Sequence, residues 1–382
     1  MKNVLLLSSL SLALLVGGTA HAAGLSSQKS SFGTLADGTA IDKYTLSNSQ
    51  GTQVSVITYG AILQSVIVAD KQGKFDDVLL GFDTAKEYEA KNNDPHFGAT
   101  IGRYANRIAD GKFAVDGHAY SVPINAAPNA MHGGPEGFDR HLWKAAPSHD
   151  KGAVGVTLSY VSADGEMGFP GALTTQVTYS LNERNELRIQ FHATTTKPTV
   201  LNLTNHGYYN LAGAGSGTIL DQVATLHASH FTPVSAKLIP TGEIAPVAGT
   251  PMDFLKPTPI GTHIKDDHPQ LKFAEPKQGG FDFNYVLDTH GDLSKPAVDI
   301  HDPHSGRRLQ LFTTQPAVQF YTSNSLDGSI SGKAGKVYQH WGAFALEAEH
   351  YPDSPNQPAF PSTRLNPGQA FSQTTVMKFT HD

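Results

Sequence analysis

The chain has 382 residues, no cysteine, a formal net charge of -6 and only 16% charged residues. Without cysteine there is no disulfide framework, no thiolate nucleophile and no sulfur ligand for a metal; without a basic stripe there is no electrostatic footprint for nucleic acid. The length would suit two domains, but large all-β folds reach it as one.

The N-terminus points to a compartment. Lys2 precedes an apolar run, residues 4–16, broken only by serines, and Ala20-His21-Ala22 follows with small residues in the peptidase pattern. This predicts a secretory signal peptide over 1–22, cleaved after Ala22, and an exported chain, periplasmic or secreted. The run is shorter than the roughly 20 residues that span a bilayer, so no stable membrane insertion is expected after cleavage. Residues 23–31 are small and polar and read as a flexible leader. Residues 32–382 show neither a Pro/Ser linker nor an internal repeat and read as a single domain.

Strand signals then recur. Residues 52–59 partly alternate, and 61–69 are strongly apolar before the turn Asp70-Lys71-Gln72-Gly73. Residues 112–115 and 118–122 flank Asp116-Gly117, which suits a type I′ hairpin because both central positions need positive φ. Residues 154–161 and 174–181 enclose a Gly/Pro-rich loop at 163–171, and 187–193 return after a turn at 182–185. Long helical periodicity is missing, so the fold class predicted is all-β, a large antiparallel sandwich.

Four segments concentrate polar groups. In Gly102-Arg103-Tyr104-Ala105-Asn106-Arg107-Ile108 the arginines offer planar forks for adjacent hydroxyls or a carboxylate; surface pairing with acids is the plainer role. His132 precedes Gly133-Gly134, whose missing side chains allow close approach of a ligand, as ordinary turns also do. A strand at 200–204 runs into Asn205, His206, Tyr208 and Tyr209, where His206 is either a satisfied core histidine or a proton carrier. Finally, 343–347 reads as a buried strand that ends in a carboxylate, with Ala345 and Glu347 on one face. A buried carboxylate is costly unless paired, or its proton affinity rises, which makes a poised general base. Glu349 reads as the one for a surface salt bridge. Spacing alone does not join His206 to Glu347.

Other clusters carry less. His227 with His230, and His301 with His304, lack helical spacing and a third ligand. Gly213-Ala214-Gly215-Ser216-Gly217 precedes no helix and is a turn rather than a dinucleotide loop. There is no Gly-x-Ser-x-Gly elbow and no phosphate loop. Neither a metal nor any other cofactor is expected.

In their order these segments resemble the aldose 1-epimerases, or galactose mutarotases. The resemblance runs from about Phe32 to the C-terminus and takes in the 102–108 segment, Met131-His132-Gly133-Gly134 and residues 202–211. It continues through Gly249-Thr250-Pro251-Met252-Asp253, Gly279-Gly280-Phe281-Asp282, residues 314–322, Leu346-Glu347 and Pro352-Asp353. It implies a mutarotase-type sandwich with a sugar cleft on one concave face. It also implies a general base at Glu347, a general acid at His206, and sugar contacts from Asn106, Arg107, His132, Tyr208, Asp253 and Gln319. The implied partner is a small sugar, a free aldohexose such as glucose or galactose, whose anomers interconvert by ring opening and closure. A deprotonated carboxylate working with a protonated imidazole would give a bell-shaped pH profile. The alternatives are a hexose-6-phosphate mutarotase, which wants extra cations, and a non-catalytic sugar-binding module, which needs no acid–base pair. A glycoside-processing enzyme would need a second carboxylate, for which Asp253 is the candidate.

Overall fold

Apolar and polar side chains alternate along most strands, so each strand can turn one row of side chains into a shared core. The structure, a computed structural model, describes residues 24–150, 152–275 and 278–382. Three large sheets dominate. A nine-stranded sheet runs, in spatial order, through Lys144–Asp150, Ala153–Ser162, Leu173–Asn182, Glu186–Thr195, Phe371–His381, Arg307–Thr313, Val298–His301, Val223–Leu226 and Thr258–Pro259. A five-stranded meander takes the chain from Ser26–Thr34 to Phe75–Asp77 in sequence order. A six-stranded sheet places Tyr208–Tyr209 beside Phe344–Glu349, then Ala317–Tyr321, Asp282–Val286, His230–Phe231 and Ala245–Pro246. Strand neighbours within each sheet are antiparallel.

The core fills the space between sheets. From the six-stranded sheet, Leu346 and Ala348 meet Ile189, Phe191 and Met377 of the nine-stranded one. Phe283, Val318, Phe320 and Phe344 belong to the same buried cluster. Fully burying a side chain of this size stabilises by about 1.5–3 kcal/mol. Because even-numbered positions of Phe344–Glu349 point into this core, Ala345, Glu347 and Glu349 share the opposite face, as their alternation predicts.

The expected strands form with ends extended by a residue or two: 154–161 becomes Ala153–Ser162 and 174–181 becomes Leu173–Asn182. The hairpin at Asp116-Gly117 has φ of 52° and 76°, the double left-handed turn its sequence calls for. The flexible leader is corrected. From Ser26 the chain is a strand, paired with Ala40–Ser47 along its length. Its polar side chains remain largely exposed, as suits an edge strand, and the sheet's backbone hydrogen bonds order it without apolar anchors. The signal peptide at 1–22 lies outside the described residues.

Candidate active site

Sheet register answers the question that spacing left open. Tyr208 pairs with Ala345 in antiparallel strands. Two residues back on one strand and two forward on the other, the same register sets His206 opposite Glu347. Both side chains point away from the core, and His206 Nε2 lies 3.5 Å from Glu347 Oε1.

The histidine is held by backbone and by its neighbours. Its N–H donates to Ala99 O (2.9 Å), and its carbonyl accepts from Gly98 N–H (2.9 Å). Asn205 pins that same turn, donating from Nδ2 to Gly98 O at 2.8 Å. Tyr208 stacks on the imidazole, centroids 5.0 Å apart and planes at 21°.

On the far side of the cleft, Asn106 and His132 lock each other. The Asn106 N–H donates to His132 Nδ1 at 3.2 Å, and His132 N–H donates to Asn106 O at 3.0 Å. Both residues are left-handed, with φ of 62° and 53°, the kind of strain that gathers at working sites. Gly133 is required here, since a Cβ on it would sit 2.0 Å from Gly102 O. With Nδ1 accepting, neutral His132 carries its proton on Nε2 and is a donor. That tautomer also decides against a metal. His132, His206 and Glu347 bring ligand atoms within 4.8 Å of one another, but the remaining nitrogen of His132 has no lone pair to give.

Burial shapes the proton affinities. Desolvation, then Glu349 and Asp282, push the Glu347 carboxyl well above the usual range, with Arg107 opposing. Desolvation, then the nearby His96, push His206 down to about 3. The same two causes, in that order, and then His206 hold His132 well below an ordinary imidazole. An empty-site carboxylate–imidazolium pair is therefore not the favoured state: the pair keeps one proton over a broad pH range, and burial prefers it on the carboxyl. Glu347 Oε2 and His206 Nδ1 are buried without a protein partner, and such atoms in a cleft are left for a ligand.

Six of the eight predicted site residues line one cleft: Asn106, Arg107, His132, Tyr208, His206 and Glu347. Gln319, opposite Glu347 in register and so on the same face of the sheet, is off the lining itself and donates from Nε2 to Asp282 Oδ1 at 2.6 Å. Asp253 is a correction. Met252 and Phe254 on either side of it are fully buried, so its own side chain turns outward into a separate surface cavity with Thr250 and His263. The carboxylate beside Arg107 on the cleft lining is Asp282, 3.7 Å from Arg107 Nη1. Phe281 and Phe283 enter the core beside it and force it to the cleft face. Its motif, Gly279-Gly280-Phe281-Asp282, was visible in the sequence, and alternation between two phenylalanines was the signal that could have selected it.

Two further expectations change, and one residue of the site was missed. Arg103 is neither a sugar ligand nor a surface ion pair; it is 2% exposed and donates to Ser162 Oγ and to the carbonyls of Ser162, Ala163, Pro170 and Gly171. Glu349 makes no surface salt bridge and is fully buried. His96, unnoticed among 18 histidines, packs edge-on to His132 at 5.0 Å and is bonded to Asp139 at 3.1 Å; no local pattern marks it.

Comparison with known proteins agrees with this geometry. Residues 42–378 match the family described as aldose 1-epimerase. A rat (Rattus norvegicus) galactose mutarotase is 44% identical over 91% of this chain and 97% of its own length. The aldose 1-epimerase of Escherichia coli strain K12 is 35% identical over 90% and 96% respectively. Among solved structures, an aldose epimerase homologue from C. elegans superposes with a TM-score of 0.78 at 32% identity, covering 87% of this chain and 96% of that one. A galactose 1-epimerase from Lactobacillus acidophilus gives 0.81 at 27% identity, covering 94% and 99%.

Proposed function

The chain belongs to the aldose 1-epimerase family, isomerases that interconvert the α and β anomers of aldoses, and from that premise we propose that Glu347 and His206 carry the two proton transfers on a free aldohexose. The observation that supports this most is their 3.5 Å approach across the sheet register, inside the cleft.

Anomer exchange requires the C1–O5 bond to break, C1–C2 to rotate, and the ring to close on the other face. Glu347 takes the C1 hydroxyl proton while His206 delivers one to O5, and closure reverses both steps. The net effect of opening is to move one proton from His206 to Glu347 through the sugar. Burial raises the carboxyl and lowers the imidazole, so the ion pair that starts opening is the minor state of the empty site, and the proton transfer returns the cost of forming it. Each positioned acid or base contributes on the order of 10²- to 10⁴-fold. His132, as a neutral Nε2–H donor, and Arg107 hold oxygens near the reacting end, and Asp282 accepts from a distal hydroxyl. No covalent intermediate enters.

The cleft measures about 200 Å³. At roughly 10–15 Å³ per water-sized group it takes on the order of a dozen to twenty heavy atoms, one hexose. Among the described residues Arg107 is the one Lys or Arg on its lining, against Asp94, Glu275, Asp282 and Glu347, which favours an uncharged sugar over a phosphorylated one. Export is part of the proposal and is supported by the apolar run and the Ala20-His21-Ala22 pattern; N-terminal sequencing of the mature chain tests it, and a retained Met1 would refute it. Polarimetry of freshly dissolved α-glucose and α-galactose tests the substrate reading, with faster mutarotation expected for both. Sugar binding without acceleration would favour a non-catalytic module.

A further inference from the structure

Glu349 lies two residues beyond Glu347 on the same face of the Phe344–Glu349 strand and is fully buried. It lines no part of the cleft, and the proton transfers do not use it. Its Oε1 accepts from Asn106 Nδ2 at 3.1 Å and its Oε2 from Asn202 Nδ2 at 3.3 Å. Two oxygens, each taking an N–H, describe a carboxylate; an amide in its place would turn an NH₂ toward one of the two donors.

Each donor is tied to the site. Asn106 also accepts the Arg107 N–H on its Oδ1 at 2.9 Å, and its own N–H fixes the tautomer of His132. Asn202 donates to Ala105 O at 3.1 Å and accepts the His350 N–H at 2.9 Å, which ties the segment before Asn106 to the end of the Glu347 strand.

We propose that Glu349 is a positioning residue of the reaction: a second buried carboxylate that holds Asn106 against His132 and Arg107 and, by its charge, strengthens Glu347 as a base. The proposal rests on the reading of Glu347 as the base. Glu347 is faced by His206 and Tyr208 from one neighbouring strand, by Asp282 and Gln319 from the other side, and by Arg107 and His132 from the loop across the cleft. Among these, Glu349 is the charge on its own strand. Burial raises the Glu349 carboxyl most, and with the two amide bonds pulling the other way it still stands at about 8. The two carboxyls titrate as a pair. The donors favour the negative charge on Glu349, and the proton then falls to Glu347, whose Oε2 has no protein donor.

Two residues along a strand span about 6.8 Å. At an effective dielectric of about 20, a charge at that distance shifts its neighbour by about one to two pH units. The test is E349Q, followed by the pH dependence of kcat/KM. The alkaline limb, where Glu347 and His206 lose their shared proton, should move down by that amount. Turnover should fall roughly three- to tenfold through the weaker base, with KM nearly unchanged. A folded E349Q whose limb stays at the wild-type position overturns the proposal; a higher KM with an unmoved limb would show Glu349 to be structural only. If E349Q does not fold, E347Q isolates Glu349: because Glu349 ionises first, while Glu347 is still neutral, its infrared C=O stretch should disappear at about the same pH as in the wild type. A Glu349 that stays protonated through the wild-type alkaline limb overturns the proposal equally. High turnover in E347Q would instead defeat the assignment of Glu347 itself, whatever Glu349 does.

Discussion

Replacing Glu347 by glutamine takes away the proposed base while keeping the size and shape of the side chain. Its removal should lower kcat by about 10²- to 10⁴-fold, which corresponds to about 2.7–5.5 kcal/mol of barrier. The fold should not suffer. Glu347 is 2% exposed, and its carboxyl is raised chiefly by burial. A carboxyl whose proton affinity is higher folded than unfolded costs stability as pH rises from the unfolded value of about 4.3 towards the folded one. Each unit of that rise is worth about 1.4 kcal/mol. Glutamine never ionises, and its amide can donate to the lone pair of neutral His206, 3.5 Å away in the wild type. Calorimetry should therefore find the mutant at least as stable as the wild type at pH 7.5, with the two converging near pH 4. Anomer exchange of glucose, followed by polarimetry or exchange NMR, reads the activity. Turnover within tenfold of wild type, or a clear loss of stability confined to pH 7.5, would refute the reasoning.

Three other outcomes follow from the same geometry. With His206 pushed down to about 3 and Glu347 raised, the pair keeps one proton through mildly acidic and neutral pH, so kcat/KM should change little between about pH 5 and 7; an acid limb centred near 6.5 would contradict this. Asp282→Asn should raise KM roughly 10- to 100-fold, the worth of a hydrogen bond to a charged group, whereas Asp253→Asn should leave KM alone; the reverse pattern in steady-state kinetics would restore the original assignment. Arg103→Met strips five donated bonds, four of them to buried acceptors, and should cost at least about 3 kcal/mol in denaturant unfolding, with turnover per folded molecule retained.

Much of the fold was legible locally. The alternation of Phe344–Glu349 marks which side of the strand Glu347 takes, and Asp116-Gly117 marks its own turn, because side-chain period and positive φ are properties of a few adjacent residues. The polar 26–31 segment was misread since a strand at a sheet edge is ordered by backbone bonds that leave no mark on side-chain composition.

The sequence by itself determined the strand-rich class, the face of Glu347, and, by family resemblance, most of the cleft residues. Tertiary structure alone decided that His206 stands opposite Glu347, that Asp282 and not Asp253 lines the cleft, and that Glu349 is sealed beneath Asn106 and Asn202. Those choices depend on which strands become neighbours and which face of a sheet is covered. Both are fixed by contacts between residues distant in sequence, from a few tens of positions to well over a hundred, and the burial they create is what tunes the proposed acid and base.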